Sequence, residues 1–517
     1  NENASEYFLA GKSQNWFVVG SSLFAASVSS STLMGHSGEG FISGIAVFNY
    51  NVGAIFVIIF VSLFFLPFYI KSGIYTIPEY LGRRFDNRSR KYFSFITIIG
   101  NVFLDAGAAL YTGALILKII FPEIDMMWII IGMALMAGTY TIIGGLSSAI
   151  NADMIQSIIL IAGSVLLSIF CFNSVGGWEN FVEHFHDGVW LNLIRPNSDT
   201  TVPWFSIFLS IPILGFYFWG NNQVIVQRVM SAKTVNEGRL GFLFVAFLYV
   251  FTLFIFIAPG MVGRMIDLFG VGDTLPNEII DGNTLRAQYG IDTNEVYPRL
   301  ILKLLPVGLI GVMIACMVSA LTSTLSATLS SVSTLFTMDF YKSWRPESSP
   351  RHLVRVGQWT SFIALVVAVL WAPLIGKFAS LVAYYQEFSS YLAPPIVGTF
   401  LVGLFWKGST RNGAFAGLMS GLAMSALIMT YKFGFGGVVP FHFLLWVPIL
   451  LILSVLVNII VSKCDRNKET DVETYTWNKS VWQDDTRELK TVPWYKNFRY
   501  ISIALIIIAL LEYWWFF

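Results

Sequence analysis

The sequence predicts an all-α polytopic membrane protein. Hydrophobic residues make up 55% of its 517 residues and charged residues only 12%, about half the charged share of a soluble protein. Apolar runs of about 20 residues, long enough to cross a hydrocarbon core about 30 Å thick, recur along most of the chain. Such runs must be helices, because lipid offers the backbone no hydrogen-bond partners. Their apolar residues do not alternate as those of a membrane β-barrel do.

Thirteen membrane spans are predicted in chain order. They lie at 15–36, 42–70, 91–120, 126–144, 151–174, 203–228, 241–264, 306–337, 353–375, 379–405, 411–431, 440–462 and 499–517. A further helix ahead of the first residue would make fourteen.

The distribution of Lys and Arg predicts the orientation, because cytoplasmic loops accumulate both residues. One set of alternate loops carries Arg83, Arg84, Arg88, Arg90 and Lys91; Arg228, Lys233 and Arg239; Lys342, Arg345, Arg351 and Arg355; Lys407 and Arg411; and Lys463, Arg466 and Lys468. These loops are expected inside, with the segment before Trp16. The loop 265–305 and the C-terminus are expected outside. We expect a multi-pass protein of the cell (inner) membrane.

Polar residues at membrane depth mark candidate functional sites, because they are costly there. Hydroxyls crowd two stretches, "FAASVSSSTLMG" at 24–35 and "SALTSTLSATLSSVST" at 319–334. Two lone carboxylates, Asp105 and Asp153, lie in the third and fifth spans. In the tenth span, "YYQEFSSYLAPP" at 384–395 places Gln386 and Glu387 before two prolines.

Two interpretations of the serine clusters stay open. Small hydroxyl residues let membrane helices pack closely. The same residues, flanked by glycines, also weaken the first span near Ala25 to Val28. A discontinuous helix in a transporter frees backbone carbonyls that coordinate a cation. Neutral oxygens from such a break and from a serine-rich helix would suit sodium, a hard monovalent ion.

The two carboxylates are open to different interpretations. Asp153 could be the N-cap of a helix or part of an ion site. Asp105, in mid-span, needs a polar partner, a water-filled cavity or protonation.

Other function classes find little support. Cys171, Cys316 and Cys464 match neither a disulfide framework nor a metal spacing. No His in mid-span has a partner for hydrolase chemistry, so we expect no enzyme. No basic tract suits nucleic acid.

Six segments, in order, resemble the sodium:solute symporter family, which includes the sodium/glucose cotransporters and bacterial sodium/galactose symporters. They are "EYFLAGKS", "GIYTIPEYLGRRF", "YTIIGGLSSAINADMIQ", "WGNNQVIVQRVMSAK", "STLFTMDFYKSW" and "GLFWKGSTRNGAFAG".

This resemblance implies a LeuT-type fold, with two inverted five-helix repeats whose first helices, spans one and six here, are broken. The division it suggests is a cytoplasmic N-terminal segment 1–14, a first repeat 15–174, an extracellular loop 175–202, a second repeat 203–405, two accessory helices in 406–462, a cytoplasmic connector 463–498 and a C-terminal helix 499–517.

The resemblance also implies a sodium site. The carbonyls of Ala25, Val28 and Ala320 and the hydroxyls of Ser323 and Thr324 fall on the family's ligand positions. Near it, Asp153 matches a carboxylate that forms a second sodium site in some members. That site also needs two hydroxyls after Thr324. Here Ser326 is present but Ala327 is not a hydroxyl residue, so we expect one sodium ion.

The resemblance identifies the substrate-binding residues less directly than the sodium ligands. The candidates are Ser27, Ser29, Thr32, Tyr50, Asn51, Asp105, Phe218, Trp219, Tyr249 and Gln386. Gln386 and Trp219 fit the sugar-binding members, and Phe218 replaces a tyrosine that stacks on galactose. Ser29 and Thr32 match hydroxyls that hold the carboxylate in sialic acid symporters.

Those symporters, however, have an arginine where this chain has Asp105. A carboxylate repels an anionic substrate and accepts hydrogen bonds from hydroxyls. We therefore expect symport of a neutral sugar or polyol, with Asp105 compensating for a family carboxylate that Asn51 replaces. Another solute (sialic acid, another organic acid or an amine), or an uncoupled sugar sensor or channel, stays open.

Overall fold

The computed structural model describes residues 12–71, 73–199, 201–272, 275–276, 278–280, 282–376, 381–437, 439, 441–465, 472–490 and 492–516. Most of the predicted N-terminal segment 1–14 lies outside these residues, and so does part of the connector. The described residues are mainly helical and contain no named strand.

The first half of the chain forms these helices: Trp16–Ser27, Ser30–Ser43, Phe48–Phe64, Leu66–Lys71, Ile77–Arg84, Asn87–Gly100, Gly107–Ile120, Met126–Ser174, Trp178–Phe185, Trp204–Leu209, Ile211–Phe216, Gln223–Val229, Val235–Val250 and Ala258–Met265. The second half forms Gly282–Tyr289, Val296–Leu304, Val307–Leu335, Lys342–Trp344, Pro350–Ile375, Leu381–Phe405, Arg411–Met429, Phe443–Cys464, Lys479–Leu489 and Phe498–Trp515.

Short segments of other helix types complete these elements. The 3₁₀ segments are Gly44–Val47, Thr293–Glu295, Glu473–Tyr475 and Trp494–Lys496, and the π segments are Asn101–Ala106, Tyr217–Asn221, Leu253–Ile257, Phe336–Tyr341 and Thr430–Gly434. π segments often occur at functional sites. Two of them carry the candidates Asp105, Phe218 and Trp219.

The number of spans differs from the thirteen predicted. Among the described residues, ten helices are long and apolar enough to cross a membrane, or eleven if a pair bent by 46°, Val235–Val250 with Leu253–Met265, counts as one. Two shorter apolar helices, Trp16–Ser27 and Met126–Thr139, lie within the predicted first and fourth spans.

One helix of 49 residues, Met126–Ser174, includes the predicted fourth and fifth spans, so the boundary expected between them at 145–150 is absent. This helix packs against the serine-rich helix Val307–Leu335.

The predicted breaks in the first and sixth spans are present. The first span divides between Trp16–Ser27 and Ser30–Ser43. The sixth divides at Asn222, whose φ of −72° and ψ of 119° lie outside the helical region. Both breaks face one internal cavity, because Ser27, Ser29 and Asn222 all line it.

Contacts between loops agree with the predicted grouping of the loops by side. Arg84 donates from Nη2 to the carbonyl of Ser409 at 3.2 Å, and Arg239 pairs with Asp485 of the connector at 2.7 Å. On the opposite set of loops, Arg195 donates to the carbonyl of Ser43 at 2.6 Å. Which set is cytoplasmic stays a prediction.

Close backbone approach fixes the second half of the first span, Ser30–Ser43. A Cβ on Gly260 would lie 1.9 Å from the carbonyl oxygen of Ser37, and one on Gly40 would lie 2.4 Å from that of Ile257. Both distances are far below van der Waals contact. Only glycine therefore lets Ser30–Ser43 lie this close to the seventh span.

Candidate functional site

The break in the first span is built by its own hydroxyl residues. Val28 has φ −102° and ψ 82°, and Ser29 is extended, with φ −84° and ψ 171°. The Ser29 Oγ caps the next helix by accepting a hydrogen bond from the Thr32 N–H at 3.2 Å. The Thr32 hydroxyl donates back to the Ser27 carbonyl at 3.2 Å. Residues 20–35 are thus two helices joined by a capped turn, as predicted.

The break frees backbone oxygens. The last backbone hydrogen bond of the helix Trp16–Ser27 runs from the N–H of Val28 to the carbonyl of Phe24 at 2.8 Å. Because Val28 and Ser29 leave the helical conformation, the carbonyl of Ala25 receives no helical hydrogen bond from the N–H of Ser29. Carbonyls in the last turn of a helix have no intrahelical donor. The break therefore leaves the carbonyls of Ala25 and Val28 without helical donors, and their role as sodium ligands stays a prediction.

The serine-rich helix Val307–Leu335 packs against Trp16–Ser27. Ala320, Ser323 and Thr324 share one face of it at i, i+3 and i+4, and all three are buried. Thr324 Oγ1 donates to the carbonyl of Ala320 at 3.0 Å. Ser323 Oγ donates to Asp153 Oδ1 at 2.6 Å. Each hydroxyl oxygen still has lone pairs with which to bind a cation.

Asp153 is the centre of a buried polar cluster. Its Oδ2 lies 2.7 Å from Arg228 Nη2 and accepts a hydrogen bond from Ser22 Oγ at 2.9 Å. The side chains of Asp153 and Arg228 are at most 1% exposed. Asp153 lies inside the helix Met126–Ser174, so the alternative that it caps a helix N-terminus is wrong. Sequence reasoning missed Arg228, which is 75 residues away.

A central cavity of about 190 Å³ lies beside the two breaks. All ten predicted substrate residues line it: Ser27, Ser29, Thr32, Tyr50, Asn51, Asp105, Phe218, Trp219, Tyr249 and Gln386. Of the predicted sodium ligands, Thr324 also lines it. The cavity therefore brings together residues from the first, second, third, sixth, seventh, eighth and tenth spans.

Aromatic rings form much of the cavity wall. The rings of Trp219 and Tyr249 meet edge to face with centroids 5.4 Å apart, and those of Phe218 and Trp219 do so at 5.2 Å. Tyr249 also hydrogen-bonds Ser27 beside the break. Such a wall offers apolar faces together with hydroxyl groups at their edges.

Asp105 is the one carboxylate among the described residues that line the cavity, and no Lys or Arg is among them. Its partner is the hydroxyl of Tyr385, a residue that the sequence analysis did not single out. Asp105 and Tyr385 also border a smaller cavity that reaches Asn101. Asp105 therefore stands where the two cavities meet.

Further lining residues escaped the sequence analysis, among them His36, Tyr217, Asn222 and Ser389. A usable signal existed for His36, which is one helical turn beyond Thr32, on the same face. Asn222 lies in the span that the resemblance predicts to be broken, but the position of the break within that span was not predicted.

Comparisons with known proteins agree with this architecture. The model of the sodium:solute symporter family matches residues 7–421. The chain is 31% identical over 492 residues to sodium/glucose cotransporter 1 of Oryctolagus cuniculus, covering 88% of this chain and 74% of that protein. It is 31% identical over 526 residues to the sodium/myo-inositol cotransporter of Canis lupus familiaris, covering 92% and 71%.

A solved structure has the same fold. A Na⁺-coupled sialic acid symporter, in a substrate-bound outward-open state, superposes with a TM-score of 0.75 at 23% identity and covers 90% of this chain and 94% of that one. The fold is accordingly of the LeuT type. The family model and both relatives agree, and this chain belongs to the sodium:solute symporter family.

Proposed function

We propose that this protein imports a neutral sugar or polyol together with sodium across the inner membrane by alternating access. Sodium-coupled symport follows from the family, and sodium is the coupling ion. The substrate class, the membrane, the site residues and the division into repeats at 15–174 and 203–405 are our proposals. The observation that carries the proposal is the break at Val28–Ser29, which leaves carbonyls of two sodium-ligand candidates without helical donors while Ser27 and Ser29 beside it line the cavity.

Sodium would bind to five neutral oxygens. These are the carbonyls of Ala25, Val28 and Ala320 and the hydroxyls of Ser323 and Thr324. The break frees the first two, and the serine-rich helix presents the others on one face. A shell of neutral oxygens holds a monovalent ion without adding charge to the site, which favours its release inside the cell.

Asp153 would support this site from behind. Because Ser323 Oγ donates a hydrogen bond to Asp153, the charge of the carboxylate polarises the hydroxyl and strengthens its oxygen as a ligand. Arg228 already neutralises Asp153, so that carboxylate is a poor candidate for a second sodium ligand. The hydroxyl of Ser326 is buried without a hydrogen-bond partner, and we assign it no ion.

Three features support a neutral, hydroxylated substrate. Relatives of this chain are named for glucose and myo-inositol. The aromatic wall at Phe218, Trp219 and Tyr249 suits the C–H faces of a sugar ring. Asp105 and Gln386 add hydrogen-bonding groups to the same cavity. A carboxylate without a lining Lys or Arg opposes an anionic substrate such as sialic acid.

Coupling would follow from the shared break. Sodium bound between Ala25 and Ser323 holds the inner half of the first span against the eighth helix. This also orders Ser27 and Ser29 at the cavity. Each ligand then raises the affinity for the other by the same factor. The small cavity beyond Asp105, toward Asn101, marks the expected route of release.

The test is uptake into proteoliposomes. A panel of labelled glucose, galactose, myo-inositol, sialic acid and choline is offered under an inward sodium gradient, with potassium in place of sodium as the control. Concentrative, sodium-dependent uptake of a sugar or polyol supports the proposal. Uptake of sialic acid alone would refute the substrate class, and equilibration without accumulation would indicate an uncoupled channel.

A cationic substrate is the second candidate, favoured by one observation. Asp105 faces a cavity whose wall includes Tyr50, Tyr217, Phe218 and Trp219, and aromatic rings around a carboxylate also recognise ammonium groups. Choline in the panel reports on this candidate directly.

A further inference from the structure

A surface groove of about 540 Å³ lies apart from the central cavity. Its two walls are the end of the helix Gly107–Ile120 and the helix Val296–Leu304. None of the residues proposed above to bind sodium or substrate lines it. We call it the Lys118 groove, after the lysine on its first wall.

The charged side chains in the lining of the Lys118 groove are unequal in number. Three are cationic, Lys118, Arg299 and Lys303, and one is a carboxylate, Glu295. Glu295 pairs with Arg299, whose Nη2 lies 2.6 Å from Oε2 of the carboxylate. Lys118 and Lys303 form no ion pair with any described residue. The groove therefore keeps two positive charges without counter-charges.

Both lysine ammonium groups are held in place by the backbone. Lys118 Nζ donates to the carbonyls of Pro122 and Ile124 at 2.7 and 2.8 Å. Lys303 Nζ donates to two carbonyls that follow the helix Ala258–Met265, at 3.3 and 3.0 Å. An ammonium group has three N–H donors, so one on each lysine is still free. Carbonyls have no formal charge, so the charge of each lysine is not neutralised.

The acidic residues close to these carbonyls in the sequence do not supply the missing charge. Asp267 accepts hydrogen bonds from two backbone N–H groups at 2.9 Å each. Asp125 caps the helix Met126–Ser174, and Glu123 is exposed. None of the three lines the Lys118 groove.

The rest of the groove offers an apolar surface. Leu115 and Ile119 lie four residues apart and share one face of their helix. Leu302, on the opposite wall, is 38% exposed. Two fixed cations beside apolar side chains match a ligand with an anionic head and a hydrocarbon tail.

The groove also lies at the level of the membrane surface. Lys118 is two residues from the end of its helix, where the predicted third span ends. Phe121 and Trp128, just beyond this end, are 52% and 70% exposed. Exposed tryptophan is typical of the boundary between hydrocarbon and water, where the phosphates of lipids lie.

We propose that the Lys118 groove binds one anionic phospholipid. Its phosphate contacts Lys118 and Lys303, and an acyl chain lies along Leu115, Ile119 and Leu302. A zwitterionic lipid has the same phosphate but adds a cation of its own, so it complements the two lysines less well. The lipid joins the third span to the helix that leads into the serine-rich helix Val307–Leu335. The proposal does not depend on the identity of the transported solute.

The experiment measures lipid binding to the full chain purified in detergent, by native mass spectrometry. The protein is titrated with phosphatidylglycerol and with phosphatidylcholine of the same acyl chains. Wild type should bind phosphatidylglycerol about tenfold more tightly. Lys118→Gln/Lys303→Gln should lose this preference, because glutamine keeps an N–H donor for the carbonyls but removes both charges.

Two further variants make the result specific. Lys342→Gln/Lys463→Gln removes two exposed lysines from the opposite set of loops and should leave both affinities within about twofold. Leu302→Glu adds a negative charge to an exposed position of the groove without touching either lysine. It should weaken binding of phosphatidylglycerol about tenfold, and it decides the matter if the double lysine variant is shown by thermal unfolding to be misfolded.

Three outcomes would overturn the proposal. The first is a preference for phosphatidylglycerol that survives in Leu302→Glu and in the double lysine variant, or that falls equally in Lys342→Gln/Lys463→Gln. The second is displacement of the lipid by millimolar glycerol 3-phosphate, which would make the groove a site for a soluble anion. The third is a dimer of wild type that Leu302→Glu dissociates, which would place a second copy of the chain over the groove.

Discussion

Arg228 and Asp153 form an ion pair inside the helix bundle, with Arg228 Nη2 2.7 Å from Asp153 Oδ2 and neither side chain more than 1% exposed. The other carboxylate oxygen of Asp153, Oδ1, accepts a hydrogen bond from Ser323 Oγ. The fifth and sixth spans and the serine-rich helix therefore meet at one carboxylate, which lies directly behind the proposed sodium shell.

The first prediction concerns this pair. Asp153→Asn leaves a buried guanidinium without its counter-charge, which costs about 3–5 kcal/mol, so the midpoint of thermal unfolding should fall. The double variant Asp153→Asn/Arg228→Gln removes both charges and should be more stable than Asp153→Asn alone. A double variant that is no more stable would mean that the pair contributes little beyond packing.

The second prediction tests the sodium shell. Ser323→Ala removes one oxygen ligand and the hydrogen bond that orients it, so the half-saturating sodium concentration should rise about tenfold or more. The protein should stay folded, because the methyl group fills most of the volume of the side chain. Sodium-dependent uptake, measured over a range of external sodium, reports the change. An unaltered sodium dependence would contradict the assignment of Ser323.

The third prediction concerns stoichiometry. If one sodium ion binds, the Hill coefficient for sodium is close to one, and Ser326→Ala leaves it unchanged. Ser326 lies on the same helix as Ser323 and is equally buried, which makes it a matched control. A Hill coefficient near two that Ser326→Ala reduces to one would instead place a second ion beside Asp153.

The fourth prediction separates a neutral from a cationic substrate. Asp105→Asn keeps a hydrogen-bond acceptor and the shape of the side chain but removes the charge. Uptake of a neutral sugar should fall only a few-fold, whereas uptake of an amine should be lost, because an uncompensated ammonium group is costly at membrane depth. The same substitution measured on both labelled substrates decides between them.

The fifth prediction is a pH dependence in the loop 175–202. Burial alone would raise the pKa of Asp199, but hydrogen bonds from Thr201 and Val202 and the charge of Arg195 together hold that pKa below its ordinary value. A depressed pKa stabilises the folded protein above the unfolded value of about 3.9, and the gain is lost as pH falls through the folded pKa.

Unfolding midpoints of wild type and Asp199→Asn should therefore differ most at neutral pH and converge in acid below about pH 4. Arg195 also donates to the Ser43 carbonyl, so a local probe near Ser43 should show the same trend. A difference that is constant from neutral pH to pH 3 would contradict this role for Asp199.

The break in the first span could be predicted, because the residues that cause it lie within one short stretch of the sequence. Ser29 caps the helix that starts one residue later, and Thr32 closes the turn; hydroxyl residues at such positions are typical of helix starts. The cavity residues could be predicted from the resemblance, residue by residue, and all ten line it.

Long-range partners could not be predicted in this way. Arg228 is 75 residues from Asp153, and nothing in the sixth span marks it as more than one of several basic residues near a loop. The helix Met126–Ser174 packs against Val307–Leu335, and such long-range packing is not visible in local helix propensity. His36 was passed over because the predicted first span ends at it, whereas the second helix of that span continues to Ser43.

The pairing of Arg239 with the connector has a consequence for biogenesis. Arg239 is 1% exposed and holds Asp485 through two hydrogen bonds, at 2.9 and 2.7 Å. The carboxylate stands 246 positions later in the chain. During synthesis the ribosome therefore delivers this guanidinium long before its counter-ion. Until the connector has been synthesised, Arg239 can make its hydrogen bond to the Ser62 carbonyl but lacks its counter-ion, so this ion pair is among the later contacts to form.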